Sequence, residues 1–123
     1  MNQANEPFTG NHAIANFIDC TIDMTSLSAA KVKQLIEELC RRYSLQLIGG
    51  FYHDFDDKGA LTSVSALTES HIAIHTWPEL SYVTLDVYLC DYSRDNRETT
   101  LNLLEELRKF FAPKAVYSKV IKR

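Results

Sequence analysis

The sequence predicts an α+β fold, a two-layer sandwich in which a mainly antiparallel sheet carries two helices on one face. Three observations predict it. Apolar residues recur at helical spacing in only two stretches of the 123-residue chain, and strand-like runs bounded by turn residues fill most of the remainder. The strands come in consecutive groups, in the order β-α-β-β-β-β-α-β, which suits antiparallel pairing better than alternating crossovers. No internal repeat, low-complexity tract or Pro/Gly-rich linker divides the chain, and its length suits one domain with a real core.

Taken in order, residues 1–10 (MNQANEPFTG) read as a flexible polar arm and 11–123 as a single domain. HAIANFIDC, His12 to Cys20, has the apolar content and length of a strand. In SLSAAKVKQLIEELCRRYS, residues Val32, Leu35, Ile36, Leu39, Cys40 and Tyr43 fall on one helical face, with Ser28 placed to cap the start. Cys40 lies on that stripe and reads as a core thiol. LQLIGGFYHDF reads as a strand interrupted by Gly49-Gly50, DDKG as a turn, ALTSVSALTE as the next strand, and SHIAIHTW as a further strand ended by Pro78. YVTLDVYLC alternates apolar and polar residues as a half-buried strand does. RDNRETTLNLLEELRKFF is the second amphipathic helix, with Leu103, Leu104, Leu107 and Phe110 on one face. Pro113 stops it, and AVYSKVI closes the chain as a last strand. With both helices on one face, the other face of the sheet calls for a partner or a ligand.

Composition excludes several functions. Apolar residues at 46% and charged residues at 24% are ordinary for a globular protein, and a net charge of −3 gives no general attraction to nucleic acid or to an anionic membrane. The basic cluster SKVIKR reads as a solvated tail. MNQANEPFTG has no basic region leading into an apolar run, so no secretory signal is expected, and no apolar stretch approaches a membrane span. Three cysteines (Cys20, Cys40 and Cys90), odd in number and far apart, suggest no disulfide framework and point to a reducing cytoplasm.

The chemistry concentrates in TESHIAIHTWPE, Thr68 to Glu79. On a strand, His71 and His75 share one side with Ala73 between them, and Glu79 or Cys90 would complete a zinc set. The spacing matches no closed zinc pattern, so no metal is expected. The string ESHIAIHTWPE, with a strand ending in Cys90 downstream, resembles the short prokaryotic S-adenosylmethionine decarboxylases, pyruvoyl enzymes made as a proenzyme that cuts itself at a Glu-Ser bond. The resemblance runs from about His12 to the last strand and is strongest from Thr68 to Cys90.

It implies cleavage between Glu69 and Ser70 into chains 1–69 and 70–123, with Ser70 the nucleophile in processing and afterwards the pyruvoyl cofactor. Such a group suits the reaction, because losing CO₂ from an α-amino acid leaves a carbanion that needs an electron sink conjugated to a Schiff base. The resemblance also implies a role for individual residues. His75 is the base that promotes elimination during processing, and Thr62, where the family usually has serine, supplies an assisting hydroxyl. Cys90 is the acid that protonates the substrate carbanion, Glu79 holds the ribose hydroxyls, and Phe55 in HDF stacks on adenine.

Five residues of extended strand, roughly 16 Å, separate Ser70 from His75. Either the chain folds back sharply or His75 serves the Ser70 of a second protomer. The resemblance implies the second, a homodimer in which Ser70 and Cys90 come from one chain and Thr62, His75 and Glu79 from the other. The expected function is decarboxylation of S-adenosylmethionine to supply the aminopropyl donor for spermidine biosynthesis. The same machinery acting on L-arginine or L-ornithine is the alternative within the class, and a non-catalytic α+β binding module that stays whole is the alternative outside it. Departures from the family pattern (Ser63 after Thr62 in GALTSV, one extra residue between Phe55 and Thr62, and Ala73) fall near the expected substrate pocket. They leave Glu69-Ser70, His75 and Cys90 intact.

Overall fold

A computed structural model of the chain describes residues 8–123. The predicted order is found: β1 (Gly10–Cys20), α1 (Ala29–Arg42), β2 (Leu47–Asp54), β3 (Leu61–Leu67), β4 (His71–Trp77), β5 (Tyr82–Cys90), α2 (Arg97–Phe111) and β6 (Pro113–Lys122). The six strands form one sheet in the order β2-β3-β4-β5-β1-β6, and every neighbouring pair is antiparallel. Both helices lie on one face, α1 over β2 and β3, α2 over β1 and β5.

Alternation along the strands separates the two faces. Ala13, Phe17, Ile72, Ile74, Leu85 and Leu89 point to the helices and are fully or nearly fully buried. They meet Val32, Ile36, Leu39 and Cys40 of α1 and Leu103 and Leu107 of α2. The Ser28 hydroxyl accepts from the Lys31 N–H at 3.2 Å, so the expected cap starts α1. On the other face Ile14, Ile18, Val64, Trp77, Tyr117 and Ile121 remain exposed in the single chain. Among the described residues none forms a layer over them.

In α2 the expected face is found: Leu103 and Leu107 are buried, Leu104 and Phe110 pack partly buried against the core, and Phe111 joins them, fully buried and 6.1 Å from Phe17 between ring centroids. Three expectations need correction. The helix begins at Arg97 rather than Arg94, since the side chains of Arg94 and Asn96 are committed to neighbouring loops and strand ends. SKVIKR is no solvated tail. Ladder bonds to β1 carry it through Lys122, and Arg123 exchanges two main-chain bonds with Gly10 at 2.8 and 2.9 Å. Of the arm expected over 1–10, residues 1–7 lie outside the described residues, while Thr9 is tied to Asp91 and Gly10 opens β1.

Candidate active site

The β3–β4 hairpin presents Ser70. Its closing bond runs from the Leu67 N–H to the Ser70 carbonyl at 2.8 Å, leaving Thr68 and Glu69 as an exposed two-residue loop. The Thr68 N–H donates to the Gln46 carbonyl at 3.1 Å, which braces this loop against the segment after α1. Ser70 Oγ accepts from the Cys90 N–H at 3.0 Å, so the first residue before β4 and the last residue of β5 are locked together. The Cys90 side chain is 7% exposed, and its Sγ lies 3.8 Å from the Thr9 carbonyl. A cleft of about 350 Å³ opens beside this pair, bordered by Leu67, Glu69, Tyr92 and Arg94.

The end of β5 is held by a polar network. The Asn96 amide donates to the Cys90 carbonyl at 2.8 Å, and Arg94 Nε donates to Asn96 Oδ1 at 3.0 Å. The next residue, Asp91, accepts from the Asn96 N–H, the Thr9 hydroxyl and the Lys122 ammonium at 2.8, 2.8 and 3.1 Å. Burial pushes the Asp91 carboxyl upward, but these donors together hold it below its ordinary value.

Thr62 and His75 face each other across the β3–β4 ladder, with Thr62 Oγ1 and His75 Nδ1 3.1 Å apart. Their position is set from below. Thr76 Oγ1 donates to the Gly59 carbonyl at 2.5 Å and accepts from the Leu61 N–H at 3.0 Å, pinning the start of β3 to β4. Trp77 stands beside His75 with ring centroids 6.2 Å apart. Pro78 ends β4, and Glu79 follows, exposed, in a single 3-10 turn, Pro78–Leu80. Phe55 lies just past β2, 66% exposed, its ring edge-on to His53 at 4.7 Å.

The predicted residues therefore form two groups at opposite ends of β4, Ser70 with Cys90 and Thr62 with His75, with Glu79 following the second. β4 pairs without a break from His71 to Trp77, so the chain does not fold back and His75 stays roughly 16 Å along the strand from its own Ser70. His71 belongs to the first group, beside His12 and Tyr88 at ring distances of 5.8 and 5.5 Å. Among the described residues no group of three or more His, Cys, Asp or Glu side chains is arranged to hold a metal ion. Sequence reasoning passed over Tyr88, Asp91, Asn96 and Arg123. The available signal for Tyr88 was its place two residues before Cys90, hence on the same side of the strand.

The family model for S-adenosylmethionine decarboxylase matches residues 11–123. A protein of Persephonella marina named S-adenosylmethionine decarboxylase proenzyme is 34% identical over 118 residues, covering 96% of this chain and 84% of that one. One of the same name from a Sulfurihydrogenibium species is 38% identical over 92 residues, 75% of this chain and 65% of that protein. The crystal structure of the adenosylmethionine decarboxylase from Aquifex aeolicus superposes with a TM-score of 0.80 at 25% identity, over 96% of this chain and 92% of that one.

Proposed function

The chain belongs to the S-adenosylmethionine decarboxylase family, and from that membership we propose that it is a proenzyme that cuts itself between Glu69 and Ser70 and then decarboxylates S-adenosylmethionine, supplying the aminopropyl donor for spermidine synthesis. The observation that carries this reading is the seat of Ser70. It lies at the mouth of an exposed hairpin loop, beside an open cleft and locked to Cys90 by a 3.0 Å bond.

In processing, Ser70 Oγ attacks the Glu69 carbonyl carbon and the amide becomes an ester. His75 then takes the Ser70 α-proton, the Glu69 carboxylate leaves, and the new start of chain 70–123 becomes a ketoacyl group as water replaces ammonia. With Thr62 accepting from His75 Nδ1–H, Nε2 keeps its lone pair for that proton. The residues present suit a pyruvoyl group, because its precursor is Ser70 itself and no bulky side chain separates Ser70 from Cys90. When formed, that group supplies the electron sink for loss of CO₂. Cys90 gives its thiol proton to the carbon that has lost the carboxylate, Phe55 offers a flat apolar face to adenine, and Glu79 accepts from the ribose hydroxyls.

The working unit in this reading is a homodimer. In it two open faces stack about a two-fold axis with the Ser70 end of one β4 against the His75 end of the other, and the unbroken strand, which keeps His75 away from its own Ser70, supports this arrangement. No helix among the described residues is long and apolar enough to cross a membrane, and we assign the protein to the cytoplasm, where Cys20, Cys40 and Cys90 stay reduced.

Intact mass under denaturing, reducing conditions, combined with assay of CO₂ release from S-adenosylmethionine, L-arginine and L-ornithine, tests the proposal. Two chains meeting at 69/70, the second lighter by one ammonia than a serine start predicts, with CO₂ from the nucleoside substrate alone, is the expected result. A chain that stays whole on incubation would remove the cofactor and sink the assignment.

A further inference from the structure

Resting on the decarboxylase reading, the surroundings of Cys90 carry one step further. A thiol that gives up its proton leaves a thiolate, and a buried thiolate needs a hydrogen-bond donor. The Thr9 carbonyl 3.8 Å from Sγ accepts only. Tyr88 projects from the same side of β5, two residues before Cys90, and its hydroxyl lies over Gly10, the β1 residue paired with Cys90.

The fold fixes where that phenol sits. Gly10 pairs with Cys90 across the β1–β5 ladder, and the Tyr88 ring leans over it; a Cβ on Gly10 would lie 2.7 Å from Cε1 and 2.8 Å from the hydroxyl oxygen. The Arg123 guanidinium covers the ring 4.6 Å from its centroid, itself anchored by the two main-chain bonds to Gly10. His12 and His71 close on the ring from the sheet face at 5.7 and 5.5 Å. Burial, then Cys90, hold the phenol above its ordinary value, with Arg123 acting against them, so the hydroxyl keeps its proton at neutral pH.

We propose that Tyr88 is a positioning residue for substrate protonation: its hydroxyl donates to Cys90 Sγ, aims the thiol proton and stabilises the thiolate left behind, while Arg123 fixes the ring. The S–H proton goes to the substrate carbon, the electron pair stays on sulfur, and water restores the proton before the next turnover.

The test uses the full-length, self-processed protein. Tyr88→Phe should be cut as completely as the parent by intact mass and keep its KM for S-adenosylmethionine, but lose about tenfold or more in kcat, the scale of a hydrogen bond to a charged group. A second readout follows the fate of the proton. Delivered one carbon away, to residue 70, it would leave the substrate nitrogen there as a free alanine amino terminus, with the rest of the substrate leaving as an aldehyde after addition of water. Residue 70 then gains the two electrons that the substrate carbon loses. N-terminal sequencing after many turnovers should find more alanine starts in Tyr88→Phe than in the parent.

Unchanged kcat together with an unchanged fraction of alanine starts would overturn the proposal. If Tyr88→Phe is not cut, Arg123→Met decides, since it keeps the phenol but frees the ring. A fall in kcat at constant KM supports the proposal, and parental kcat overturns it. A parent chain that is never cut, or releases no CO₂ from S-adenosylmethionine, fails earlier, at the decarboxylase reading itself, and takes this inference with it.

Discussion

His75 spends one ring nitrogen on Thr62, 3.1 Å away across the β3–β4 ladder, and what remains for chemistry is Nε2. The two side chains should therefore fail differently. His75→Ala removes the base, so the chain should stop at the ester stage and stay one piece on a gel until hydroxylamine splits it between Glu69 and Ser70. A variant insensitive to hydroxylamine would place His75 in the first attack instead. Thr62→Val keeps the shape and loses only the orienting bond. The half-time of self-cleavage, followed by loss of the whole chain on a denaturing gel, should lengthen by about tenfold, the scale of one hydrogen bond. Neither change touches a large buried apolar side chain, so the thermal midpoint of the uncut protein should move little.

The elements that present these residues depend on polar ties as much as on apolar packing. Thr76 reaches over to Gly59, whose φ of 94° and lack of a side chain admit the Met24 carbonyl at a distance where a Cβ would be 1.8 Å from it. Thr76→Val leaves the Leu61 N–H and the Gly59 carbonyl buried without their partner and should cost about 1–3 kcal/mol by urea denaturation. At the opposite end Asp91 ties Thr9 of the entry to β1, Lys122 of β6 and Asn96, the residue that precedes α2, into one carboxylate. Because its folded carboxyl titrates below the ordinary value of 3.8, its contribution is fully present above that pH and is lost as pH falls through the lower, folded value. The gap in urea midpoint between the parent and Asp91→Asn should be wide at pH 6 and should shrink at pH 3; a constant gap would mean that the charge is irrelevant.

Such ties explain what the sequence could and could not reveal at this scale. Val32, Ile36 and Leu39, or the alternation in YVTLDVYLC, announce helix and strand because burial follows a local period. Where a tertiary bond recruits the residue, the period is silent: Arg94 and Asn96 look helical yet serve the loop after Tyr43 and the Cys90 carbonyl. Lys122 and Arg123 look like tail yet complete a strand. Candidate site residues held in one short string were readable as a set. Tyr88 and Arg123 were not, since only the pairing of β1 with both β5 and β6 brings them together.

Across the whole molecule, one face of the sheet is packed by helices and the other displays Ile14, Ile18, Val64 and Trp77 to solvent in the single chain. A patch of this kind is what a two-fold interface buries. Ile14→Glu should leave a monomer by sedimentation that is folded by circular dichroism but uncut, because no second His75 reaches its Ser70. Mixing provides the sharper test. Ser70→Ala and His75→Ala chains, each unable to process alone, should cut the His75→Ala chain when they are refolded together, since the partner's histidine fills the one gap. Absence of rescue in a mixed dimer would put both groups back in one chain.

The strand order β2-β3-β4-β5-β1-β6 bears on what the proposed cut between Glu69 and Ser70 would do to the protein. Residues 1–69 contribute β1, β2 and β3, and residues 70–123 contribute β4, β5 and β6. The two products of such a cut would be shuffled through a single sheet: β1 is clasped between β5 and β6, and β3 is zipped to β4 beside the loop to be severed. Three seams of main-chain bonds cross between the pieces, so scission there would relieve one turn of its covalent link without releasing either fragment. Maturation by this route would be a change of end group, made inside a body whose parts stay paired.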